Sequence, residues 1–149
     1  MKRAGHPPEA IADAIERLRA RRALDDLRFA SSFARNRLAH HGVGRNRIRA
    51  ALRQRGLSHE VVEKGLGEAL RERPEQDVLD AVARRLLGRS SRDDPRKRLA
   101  KVYSAILRRG FPPALVRERL ITLRPETGDI LDGYQFASQD PPEDEEDMD

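Results

Sequence analysis

The chain has 149 residues, 38% hydrophobic and 37% charged, with 4% aromatic and no cysteine. So little apolar material argues against a thick two-sheet core and suits narrow stripes on amphipathic helices. The lack of cysteine excludes disulfides, thiolate metal sites and a cysteine nucleophile, and the few aromatics argue against base stacking as the main route to nucleic acid.

The net charge of +5 conceals a division of the chain. The last twelve residues, SQDPPEDEEDMD, hold seven acids and no base, which leaves 18 acids against 30 bases over residues 1–137. A basic body with an acidic tail is the resulting description. The N-terminal MKRAGHPPEAIADAI lacks the apolar core of a signal peptide, and no stretch approaches a membrane-spanning run of about 18 apolar residues. The expectation is a soluble, cytoplasmic protein with no membrane partner.

In chain order, a first helix follows the paired prolines of GHPPEAIADAI. A second is expected from a cap at Asp25 or Asp26, with DDLRFASSFARNRLAHHG burying Phe29, Phe33 and Leu38. After the turn Gly42-Val43-Gly44 comes GRNRIRAALRQRG, in which Ile48, Ala51, Leu52 and the stem of Arg55 share one helical face. Gly56 supplies a left-handed C-cap and Ser58 caps the next helix, whose packing positions are Val61, Val62, Gly65, Leu66, Ala69 and Leu70. PEQDVLDAVARRLLG buries Val78, Leu79, Val82, Leu86 and Leu87. Asp94 then caps a helix with Pro95 in its first position, and Gly110 and the pair Pro112-Pro113 separate the last two helices. No segment shows the two-residue alternation of a strand.

Self-comparison organises these elements. Arg47 to Leu66 aligns on Lys101 to Leu120 at an offset of 54 residues without a gap, pairing Arg55-Gly56-Leu57 with Arg109-Gly110-Phe111. Gly5 to Ile15 aligns on Gly110 to Leu120 as a partial third copy. The expected fold is all-α: tandem three-helix repeats stacked in an elongated, curved solenoid. Its expected parts are the last helix of a first repeat (1–24), a second repeat (25–73), a third (74–124), and an irregular, acidic, disordered tail (125–149).

Gly44 to Gly56 carries five arginines and no acid. A solvated face ordinarily interleaves acids at i, i+4, and none occurs between Arg28 and Arg55, so the pattern points to a surface that faces an anion. The third repeat keeps part of it in PRKRLAKVYSAILRRG. The expected binding residues are Arg45, Arg47, Arg49 and Arg53, then Lys97, Arg98, Lys101 and Arg108, with Arg35 and Arg37 beside them. Tyr103 corresponds to Arg49 and is expected on the exposed side as a contact residue. Such a stripe suits a phosphate backbone or an acidic protein groove, and charge alone does not choose.

No catalytic constellation accompanies it. His6, His40, His41 and His59 lack metal-ligand spacing, the Asp25-Asp26 and Asp93-Asp94 pairs read as helix caps, and no glycine loop follows a strand to cradle phosphates. No enzyme activity, metal or cofactor is expected.

LDDLRFASSFARNRL, GVGRNRIRAALRQRGL and the late LRRGF together resemble the RecX family of RecA regulators. The family's acidic-pair-x-x-Phe-Ala element is matched by Asp25, Asp26, Phe29 and Ala30. Its glycine turn before an Arg-Ile-Arg helix is matched by Gly42, Gly44, Arg47, Ile48 and Arg49. The resemblance runs from about Gly5 to Leu123 and has no counterpart for the first two helices of the family's first repeat. It implies three-helix repeats and a monomeric, non-enzymatic modulator that binds the RecA recombinase filament and contacts single- or double-stranded DNA weakly and in a salt-sensitive way. Inhibition of filament extension, ATPase and coprotease activities, and so a part in DNA repair, recombination and the SOS response, is the implied role. A general nucleic-acid-binding helical module and an inactive truncated remnant are the alternatives.

Overall fold

The apolar stripes read from the sequence are helical in the computed structural model, which describes residues 7–133. Seven α-helices follow one another: α1 (Pro8–Asn36), α2 (Arg45–Gln54), α3 (His59–Glu72), α4 (Glu75–Gly88), α5 (Pro95–Arg108), α6 (Pro113–Leu123) and α7 (Thr127–Gly133). A single π-helical turn, Arg37–His41, extends α1. Among the described residues there is no strand.

The second half of α1 packs with α3, which packs in turn with α2, and α4 packs with α5 and α6, so a three-helix unit occurs twice in tandem. One continuous core joins them, from Ala34, Leu38, Ile48, Leu52 and Leu66 to Leu79, Ile106, Phe111 and Leu120. The most extensive packing between two helices is that of α1 and α3. A Cβ at Gly65 would lie 2.6 Å from that of Ala30, so small residues set the spacing there. Ser31, buried beside them, donates to Glu68 at 2.6 Å.

Several boundaries follow from local chemistry. Gly56 (φ 83°) and Gly110 (φ 92°) end α2 and α5 in the left-handed region, where a Cβ is costly. Ser58 accepts from the Val61 N–H at 3.3 Å as the N-cap of α3. Asp94 holds the N-cap position of α5, with Pro95 next, although its side chain makes no capping hydrogen bond.

Three expectations are corrected. The two helices expected on either side of Asp25-Asp26 are one helix of 29 residues. Between Pro8 and Asn36 there is neither glycine nor a further proline, and the run of Arg, Ala, Leu and Glu favours continuation over a cap. Phe29 is 40% exposed. Its ring and that of half-buried Phe33 carry the Arg55 guanidinium at 5.2 and 5.1 Å. Part of the stretch expected to be irregular after residue 125 is helical, since α7 buries Leu131 and Thr127. The acidic residues 138–149 lie outside the described residues.

Residues 8–25 of α1 contain no buried side chain. Ile11, Ile15 and Leu18 share a face there and are 49%, 43% and 67% exposed. Helix α1 therefore enters the body only from its second half.

A candidate anion-binding seam

The two repeats are joined at the first turn of α2. The Gly44 N–H donates to the Arg109 carbonyl at 2.7 Å and the Asn46 N–H to that of Gly110 at 3.0 Å. The Arg45 N–H donates to Glu75 Oε1 at 2.8 Å. A helix begins with N–H groups that have no partner within it and attract anions. Here these groups are satisfied by the neighbouring repeat, so an anion near the seam meets side chains.

Most of the basic residues singled out in the sequence are held by partners within the chain. Arg45 Nε reaches Glu75 Oε2 at 2.5 Å, and this carboxylate is buried. Arg49 pairs with Glu63 at 2.5 Å, and that contact, led by the hydrogen bond, holds the Glu63 carboxyl below its ordinary value. Arg35 pairs with Glu72 at 2.8 Å and Lys101 with Asp93 at 2.6 Å; the latter contact holds the Asp93 carboxyl low, with Lys97 contributing. The Arg53 guanidinium lies 3.0 Å from His59 Nδ1, Arg98 donates to the carbonyls of Leu87 and Arg89, and Lys97 is exposed on α5.

Tyr103 does not lie on the exposed side. It is 6% exposed and belongs to the core, where burial pushes its hydroxyl up and the Arg117 charge pulls the other way. The repeat offset explains the change. Arg49 and its partner Glu63 correspond to Tyr103 and Arg117, and Arg117 is instead engaged by Asp132 of α7. A surface ion pair of the second repeat has become a covered aromatic in the third.

Arg47, Arg108 and Arg37 do come together, in a cleft of about 280 Å³ at the seam that Arg109 and His41 also line. The cleft next to it, about 470 Å³, adds Arg73, Arg85 and His40. No acidic side chain lines either. Arg109 Nη1 donates to the carbonyls of His41 at 3.1 Å and Gly42 at 3.4 Å, closing the π-helical turn. Arg47 Nη1 donates to the Arg108 carbonyl at 3.3 Å, and the Arg37 guanidinium sits 4.9 Å over the Phe33 ring. Among the described residues, no carboxylate forms an ion pair with Arg47, Arg85, Arg108 or Arg109. Burial and then the like charges of Arg85, Arg47 and Arg89 push the Arg109 guanidinium below its ordinary value. A cluster of cations that destabilise one another gains from any anion placed among them.

Arg109 and Arg85 were not among the expected binding residues. Arg109 occupies the place of Arg55 in the repeat and reads as a helix-end residue, and Arg85 sits on a helix whose sequence signals only core. The tertiary approach of α4 and of the Gly110 turn to residues 41–44 gives them their setting. The described residues contain no group of three or more His, Cys, Asp or Glu that could hold a metal. None of the described helices is long and apolar enough to cross a membrane.

Fold and site together define an all-helical tandem-repeat protein whose charge gathers where two repeats meet. Two family models match it, RecX second three-helix domain over residues 25–66 and RecX third three-helix domain over residues 74–120. The chain belongs to the RecX family. It is 32% identical over 121 residues to the regulatory protein RecX of Prosthecochloris aestuarii, covering 80% of this chain and 76% of that protein. The RecX proteins of Clostridium botulinum (strain Eklund 17B) and Deinococcus radiodurans are 29% and 28% identical over 76% and 78% of this chain. This chain spans 53% of the length of each of those two. No solved structure matches significantly.

Proposed function

We propose that the chain is a non-enzymatic regulator of the RecA–DNA filament, which it binds as a monomer in the cytoplasm to inhibit filament extension, ATPase and coprotease activities. The observation that carries this reading is the seam: arginines from α2, α4 and α5 share clefts without a carboxylate, in a family whose members are named regulatory proteins. Unneutralised cations on a rigid helical array speed encounter with an anionic filament and fix orientation on it. The exposed Lys97 and Arg53 extend the basic surface away from the seam. No cofactor takes part in this reading, and modulation of DNA repair, recombination and the SOS response follows from it.

The test is the single-strand-stimulated ATPase of the cognate RecA with this protein titrated in. Inhibition at less than one protein per recombinase subunit is expected. Arg47→Ala/Arg53→Ala/Arg108→Ala should need about tenfold more protein for the same inhibition, the equivalent of roughly 1.4 kcal/mol of lost binding. No inhibition by the unaltered protein overturns the reading. Salt-sensitive binding to bare DNA in that case would favour a general nucleic-acid module, which the acid-free clefts also suit.

A further inference from the structure

The basic residues fall into two sets. Arg35, Arg45, Arg49 and Lys101 are each neutralised by a carboxylate of the same chain, and using them to bind another anion would first break a pair. The seam arginines carry no such cost. They also approach from different elements: Arg47 from the first turn of α2, Arg108 and Arg109 from the end of α5, Arg85 from α4.

That arrangement discriminates between anions. A carboxylate is planar and is saturated by one guanidinium fork, whereas a phosphate accepts hydrogen bonds in several directions and holds its charge on non-bridging oxygens. Arg47 from α2, Arg108 and Arg109 from the end of α5, and His41 line one cleft together, and a set of donors from separate elements fits the second shape. Arg109 is already fixed by the His41 and Gly42 carbonyls, so it would lose little side-chain entropy on binding. The repulsion it shares with Arg47, Arg85 and Arg89 would be relieved.

We infer that the seam cleft binds a phosphodiester group of a nucleic-acid strand, with Arg109 as its fixed base and Arg47 and Arg108 as the arms that close on it. A site that grips the phosphate alone reads no base edge, so the expected binding is indifferent to sequence. A phosphate held there bridges the two repeats. The inference deepens the filament-regulator reading by assigning this part of the surface to the DNA of the filament.

The experiment measures fluorescence polarisation of a labelled oligo-dT by the full chain, without recombinase, over a range of KCl concentrations. Arg47→Ala/Arg108→Ala should weaken binding and reduce the log–log salt slope by about 0.7, the share of the one phosphate contact on a single strand. Lys64→Ala, which removes an exposed cation of α3 outside the clefts, should change it by less than half as much. Arg109→Lys, which keeps the charge but loses the fork, should weaken binding while leaving the slope nearly unchanged. Inorganic pyrophosphate at constant ionic strength should displace the oligonucleotide if the cleft takes phosphate as such; displacement no better than by chloride overturns the phosphate assignment.

An unchanged slope in the double variant, with its melting temperature retained, overturns the inference. So does an equal loss in Lys64→Ala, which would show diffuse attraction. Running the recombinase ATPase on the same variants separates the two readings. Loss of inhibition with DNA binding intact assigns the seam to protein and removes the inference alone. Seam-dependent DNA binding by a protein that never inhibits the recombinase removes the regulator reading and keeps the phosphate site.

Discussion

The same tripeptide pattern, arginine, glycine and a large apolar residue, ends α2 at Arg55-Gly56-Leu57 and α5 at Arg109-Gly110-Phe111, and the two turns have different fates. Around Gly56 a Cβ would meet nothing within 4 Å, and Arg55 lies outside on the Phe29 and Phe33 rings. Gly110 is pressed against the start of α2, where an added Cβ would come within 2.5 Å of the Arg47 backbone nitrogen. Its carbonyl and that of Arg109 accept from α2, and Phe111 is buried. Local sequence fixes the shape of each turn; position in the array decides whether that shape becomes an interface.

The comparison is broken most severely by Gly110→Ala. Left-handed strain and contact with backbone together should cost about 3 kcal/mol, against about 1 kcal/mol for Gly56→Ala, where strain acts alone. Urea unfolding of the two variants measures the difference, and equal losses would deny the docking its role. Next comes the carboxylate beneath the docked turn. Glu75→Ala removes the acceptor of the Arg45 N–H and a buried ion-pair partner and should cost about 2 kcal/mol. Glu72→Ala, which loses only the exposed pair with Arg35, should stay below about 1 kcal/mol.

The two arginines sharpen the contrast at a smaller scale. Arg109→Ala frees two carbonyls of the π-helical turn but also relieves its repulsion with Arg85 and Arg47, for a net loss of about 1 kcal/mol. Arg55→Ala gives up only its position over two rings, about 0.5 kcal/mol at an exposed site. The smallest effect is one of pH, in the repeat whose turn is free. The folded Glu63 carboxyl titrates below its ordinary 4.5, so the stability it adds is present above that pH and is lost as pH falls through the folded value. The gap between the unaltered chain and Glu63→Gln should therefore be open at neutral pH and shrink as the pH falls below 4.5, in denaturation midpoints.

The fold was largely legible in the sequence because its determinants are local. Ile48, Ala51 and Leu52 mark a buried stripe by spacing, and Ser58, Gly56 and Pro95 mark helix ends by chemistry that acts within a turn. The errors arose where a distant partner intervened. Tyr103 and Arg49 are equivalent in the repeat, but the first is buried in the core and the second stays partly exposed in its pair with Glu63. Asp25-Asp26 has the composition of a cap, yet no chain reversal there requires one. The site was legible as a basic surface and not as a set of residues, since the pairs that neutralise Arg35, Arg45 and Arg49 lie 37, 30 and 14 residues away. Which arginines remain uncompensated depends on tertiary contacts that spacing does not encode.

In a stacked array, stability is the sum of what each repeat holds alone and what it gains from its neighbour. Here the neighbour's share includes the opening hydrogen bonds of α2, donated from Gly44 and Asn46 into the Gly110 turn. The third repeat therefore cannot melt without fraying the helix on which the second repeat's core depends. The two units are expected to unfold as one cooperative body, although each has the helix count of a separate module.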